Sequence, residues 1–91
     1  MKLKNLQKYL TEYTYIYKYT KGQNELFVED DFCNQVSIYE KGSGELLFTF
    51  FVNGIANRVF TKGSEKIFKT LREMFSKKEG IEKIYEKINN I

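Results

Sequence analysis

Histidine, tryptophan and proline are absent from this 91-residue chain, and cysteine and alanine occur once each. Each absence closes a line of chemistry. Without histidine there is no side chain whose ordinary titration falls near neutral pH, and no Cys/His zinc set. Cys33 alone forms no intrachain disulfide, which suits a reducing compartment, and as a nucleophile it would lack a base to activate it. No apolar stretch approaches the ~18 residues of a membrane span, and the opening MKLKNLQKYL is too polar for a signal peptide. These gaps lead to the expectation of a cytoplasmic protein that is not an enzyme, has no cofactor or metal, and has no membrane partner.

What the chain does contain is aromatic residues, eight Phe and seven Tyr. Large rings let a short chain bury much area per residue, so a single folded domain over residues 1–91 is expected. Lys, Asn, Ile, Phe and Tyr make up 43 of the 91 residues, a bias that points to an AT-rich genome. The net charge of +3 is unevenly spread. Residues 1–24 sum to +4, residues 25–60 to −4 and residues 61–91 to +3. A balance this modest bears on solubility and partner choice and does not mark a polyanion binder.

The densest apolar run is ELLFTFFV, followed by Asn53-Gly54 and a second β-type run. Asn-Gly between two such runs predicts a type I′ hairpin, because both central residues then have φ > 0. Upstream, Leu3, Leu6 and Leu10 predict a short helix over residues 2–11. Tyr13, Tyr15, Tyr17 and Tyr19 then alternate with period two, predicting a strand that ends at the turn 21–24. Further strands are expected at 25–30 and 35–41. A three-residue loop at 42–44 sets Lys41 opposite Glu45, whereas a four-residue loop would oppose Glu40 and Glu45, so the first is preferred. Ser64 caps the start of a helix carrying Ile67, Phe68, Leu71, Met74 and Phe75 on one stripe. After Gly80, a second stripe runs through Ile81, Ile84, Tyr85, Ile88 and Ile91.

The predicted architecture is α+β: an antiparallel β-meander of four to five strands, a short N-terminal helix, and two C-terminal helices on one face. That face is expected to hold Val36, Ile38, Leu46, Phe48, Phe50, Val52, Ile55 and Val59. The reverse face would hold Tyr39, Leu47, Thr49, Phe51, Ala56, Arg58 and Phe60, which is too apolar for an ordinary solvated surface. It calls for cover, either from the N-terminal helix or from a partner.

Two surfaces are candidate sites. The first is a protein-binding surface made of the acidic turn Glu29, Asp30 and Asp31 with Tyr39, Phe51 and Arg58. Its expected partner is another protein, with a homodimer as the simplest variant. Three consecutive acids on an extended strand do not converge on one cation, and no Asp-x-Asp-x-Asp-Gly loop is present. The alternative is single-stranded nucleic acid stacked on Tyr15, Tyr17 and Tyr19 with Lys18 and Lys21 on phosphates. The acids of the following strand would repel that backbone. In size, composition, lack of catalytic residues and helix–sheet–helix plan, the chain resembles small phage and mobile-element inhibitors, anti-CRISPR proteins among them. The likeness is one of type and implies a protein that blocks a larger host protein by occupying its surface.

Overall fold

A computed structural model describes residues 3–10, 15–20 and 24–90, the segment 15–20 as backbone only. The elements follow in the order 3-10 helix (Leu3–Tyr9), β1 (Tyr15–Thr20), β2 (Glu25–Glu29), β3 (Gln35–Glu40), β4 (Glu45–Val52), β5 (Ile55–Lys62), α1 (Glu65–Ser76) and α2 (Ile81–Asn89). The strands form one antiparallel sheet in the order β1-β2-β3-β4-β5, a meander in which every strand pairs with its chain neighbours. The fold is α+β, as the sequence predicts.

Turn chemistry sets the register. Asn53 (φ 53°) and Gly54 (φ 79°) adopt the paired positive φ of a type I′ turn, and Val52 faces Ile55 across it. At the β3–β4 connection, Gly44 N–H donates to Lys41 O (2.9 Å) and Lys41 N–H to Glu45 O (2.8 Å). Gly44 takes φ 90°, so this is the three-residue loop, and Lys41 Nζ lies 3.1 Å from Glu45 Oε1. An ion pair this exposed contributes little energy; its use is in selecting the register.

The β2–β3 loop repeats the design. Asp30 N–H donates to Asn34 O (3.0 Å) and Cys33 N–H to Asp30 O (3.3 Å), which puts Cys33 where Gly44 stands in the other loop. Cys33 has φ 62°, a left-handed conformation in which a Cβ is costly. Because Cys33 is exposed, Cys33→Gly removes that strain without opening a cavity. It should raise stability by about 0.5–1 kcal/mol. An unchanged or lower urea midpoint would contradict this account of the loop.

The two C-terminal helices cover one face of the sheet. Ser64 Oγ accepts the Ile67 N–H (3.3 Å) at the start of α1. At its end, Lys78 N–H donates to Phe75 O (3.1 Å) and Glu79 N–H to Met74 O (3.0 Å), a Schellman closure with Lys78 in the left-handed position (φ 58°). Ile67, Phe68, Leu71 and Phe75 of α1 and Ile81, Ile84 and Ile88 of α2 join Leu26, Val28, Val36, Ile38, Leu46, Phe48, Phe50 and Val52 in one buried core. Phe48 and Phe50 are stacked (5.7 Å between centroids), and Tyr85 meets Phe50 edge-on at 5.1 Å.

The short N-terminal helix is present as expected, and two other expectations are corrected. The N-terminal helix is a 3-10 helix, whose three-residue period places Leu3 and Leu6 on one row. It also covers the same face as the other helices, not the reverse one. Leu3, Leu6 and Leu10 are fully buried in the common core, and Leu3 N–H donates to Glu40 Oε1 (3.0 Å). Finally, Ile55 lies on the predicted face but is 63% exposed, because the buried core stops at β4 and β5 overhangs it.

Candidate functional site

With every helix on one side, the other side of the sheet stands open among the described residues. The register arranges its side chains in rows across β2 to β5. One row is Glu29, Gln35, Phe51 and Ala56; the next is Phe27, Ser37, Thr49 and Arg58; the third is Glu25, Tyr39, Leu47 and Phe60. Glu45 and Lys62 follow at the end. Tyr39, Phe51 and Phe60 are 37%, 44% and 57% exposed. Sheet pleating therefore turns outward the residues that the alternation of the sequence assigned to this face.

Charge is graded across it. Glu25 and Glu29 stand on the β2 side, with Glu29 Oε2 accepting from Gln35 Nε2 (2.7 Å). Arg58 and Lys62 stand on the β5 side, and Lys41 Nζ sits 5.2 Å from the centre of the Phe60 ring. Arg58 is exposed, and its guanidinium makes no hydrogen bond or ion pair among the described residues. Tyr39, Phe51 and Arg58 are thus brought onto one surface. Leu47 and Phe60, which the sequence assigns to the same face, lie beside them, and the structure adds Phe27.

The acidic turn is a different matter, and the expectation of a continuous acidic patch is corrected. Asp30 is buried and directed inward. Its Oδ1 accepts the N–H groups of Phe32 (2.9 Å) and Asn34 (3.0 Å), and its Oδ2 accepts the N–H of Ile81 (2.8 Å). Gly80, the N-cap of α2, has no side chain to offer, so Asp30 caps that helix from 51 residues away. Asn34 Oδ1 in turn accepts the N–H of Asn53 (3.0 Å), whose side chain reaches Glu82 Oε2 (2.7 Å). One polar chain ties the β2–β3 loop, the β4–β5 turn and α2 together. Of the three acids only Asp31 is exposed, while Glu29 is half-buried beside Gln35.

Compared with known proteins, the chain matches no family model, no curated protein and no solved structure.

A cleft of about 410 Å³ opens beside that polar chain, between the β2–β3 loop and the α1–α2 connection, with Phe32 (78% exposed) on its wall. The side chains of Asp30 and Asn34 that line it are taken up by main-chain N–H groups and those of Asn53 and Glu82 by each other, so the cleft is structural in character. Among the described residues no group of three acids, cysteines or histidines is placed to hold a metal ion. No helix among them is long and apolar enough to cross a membrane. Of the alternative nucleic-acid site, Lys21 and the side chains of Tyr15, Tyr17, Lys18 and Tyr19 lie outside the described residues. The backbone register sets Tyr15 across from Glu29 and Tyr17 across from Phe27, at the acidic side of the open face.

Proposed function

We propose that this protein is a non-enzymatic binding module that docks another protein on the open face of its sheet. One observation carries the reading: Tyr39, Phe51 and Phe60 are exposed around an unpartnered Arg58 on a surface of paired strands that no described element covers. Aromatic rings and arginine are the side chains that contribute most when an interface closes over them. A strand-borne surface presents them with little ordering entropy left to lose. The likeness in outline to small phage and mobile-element inhibitors supports a cytoplasmic role in which occupying a larger host protein's surface is the whole activity.

Affinity capture from cells of the source organism tests this with wild type and Phe51→Lys side by side. Phe51 is 44% exposed and outside the buried core, so the variant should keep its fold, read by circular dichroism and a urea midpoint close to wild type. The captured protein should be lost, and on the wild type its binding should slow amide exchange in β4 and β5. Equal capture by both proteins would refute the docking face. So would binding to single-stranded DNA that weakens steeply with salt and survives the substitution.

A further inference from the structure

Beyond the face itself, β5 forms one edge of the sheet, and we infer that two copies of this chain pair there, β5 against β5, in one antiparallel register centred on Val59. This inference rests on the main chain of the edge, and it shares Arg58 and Phe60 with the open face, where the pairing sets them along the seam between two copies.

The direction of the backbone groups follows from the loops. The bond from Lys41 N–H to Glu45 O fixes which residues of β4 bond to β3, so the others, Leu46, Phe48, Phe50 and Val52, bond to β5. Their partners on β5 are Thr61, Val59, Asn57 and Ile55. Ala56, Arg58, Phe60 and Lys62 therefore direct their N–H and C=O groups away from the sheet, though Lys62 O is taken by the Ser64 N–H (2.9 Å). Natural sheets blunt such an edge with bulges, prolines, charged side chains, short strands or a covering segment, and of these β5 has only the charges of Arg58 and Lys62. The pairing of β5 with β4 runs unbroken from Ile55 to Lys62, the strand has no proline, and the buried core stops short of it.

Side chains select both the partner and the register. Antiparallel pairing of two β5 strands requires outward-directed residues to face one another. Centred on Arg58, it opposes two guanidinium groups; centred on Phe60, it sets Arg58 against Lys62. Like charges directly opposite are unfavourable. Centred on Asn57, it carries Phe60 past the strand onto the turn. Centred on Val59, it places Arg58 of each copy across from Phe60 of the other and Ala56 across from Lys62. The unpartnered guanidinium then meets an exposed ring twice, a cation–π pairing on the open face. On the helical side, Val59 meets its own copy and Asn57 meets Thr61, which draws the half-covered strip of β5 into contact. The two-fold axis is perpendicular to the sheet, so the two open faces merge into one surface across ten strands.

Light scattering over a wide range of concentration should give twice the 10.8 kDa chain mass. Arg58→Pro removes an N–H that β4 does not use, along with the guanidinium, and should return the mass to that of one chain. In a Cys33→Ser background, Val59→Cys should oxidise to a covalent dimer, because a central non-hydrogen-bonded pair brings the two Cα atoms to about 4.5 Å. Arg58→Cys should not. A single-chain mass at every concentration overturns the proposal, as does a dimer that forms disulfides through Arg58→Cys in place of Val59→Cys. If Arg58→Pro fails to fold, the two cysteine variants decide. A monomer that still captures a partner through Phe51 would refute the pairing and leave the docking face standing.

Discussion

Asp30→Ala should lower stability by about 3 kcal/mol or more, an effect out of proportion to a carboxylate on a surface loop. The side chain accepts three main-chain N–H groups, those of Asn34 and Ile81 in buried positions. Removing it leaves these donors without a partner, and a buried donor left alone costs about 1–3 kcal/mol. The start of α2 also loses the negative charge that complements its aligned dipoles. Asp30→Asn separates the contributions. An amide oxygen in the Oδ1 position keeps Phe32 and Asn34, but its NH₂ then faces the Ile81 N–H, donor against donor. That variant should lose roughly half as much. Urea unfolding gives both numbers, and amide exchange should show α2 opening first in each. A loss within ±0.5 kcal/mol for Asp30→Ala, the range of an ordinary surface change, would refute this role for the residue.

Phe50→Ala should be at least as damaging, at about 3–5 kcal/mol. Phe50 is fully buried between the stacked ring of Phe48 and the edge-on ring of Tyr85, so truncation removes contacts to the sheet and to α2 together. For a chain of 91 residues the whole of the stability is on the order of 5–14 kcal/mol, which makes this loss a large share of it. The urea midpoint should fall steeply, and Phe50→Leu, which keeps most of the volume, should recover the greater part. Near-equal stability of Phe50→Ala and wild type would mean that the hairpin is not packed as described.

The sheet was legible because its determinants are local. Asn53-Gly54 fixes one turn by conformational preference, and the charges of Lys41, Glu40 and Glu45 discriminate between two registers that differ by one residue. From those two turns the content of both faces follows by alternation alone. Asp30 was misplaced for the opposite reason. An acid flanked by acids reads as solvated, and half its role, the cap on Ile81, depends on a partner 51 residues away. The other half carried a signal, since Asp followed by two loop residues and a tight connection is a common way to bond the backbone two positions on. Ile55 was misjudged because periodicity assigns a residue to a side of the sheet but does not say how far the helices reach across it. The N-terminal helix was legible as a helix, while leucines at positions 3, 6 and 10 suit both helical periods and leave its type open.

The meander also bears on the order in which the chain assembles. Each strand finds its mate through a short connection, so the sheet can grow one hairpin at a time at little entropic cost for closing loops. The tie from Asp30 to Ile81 spans 51 residues and has nothing to grip until α2 arrives, so it closes late. A bond made after the rate-limiting step restrains the return journey rather than hastening the outward one. The Oδ2 bond to Ile81 therefore acts as a latch: losing it alone, as in Asp30→Asn, quickens unfolding while leaving the speed of folding nearly as it was.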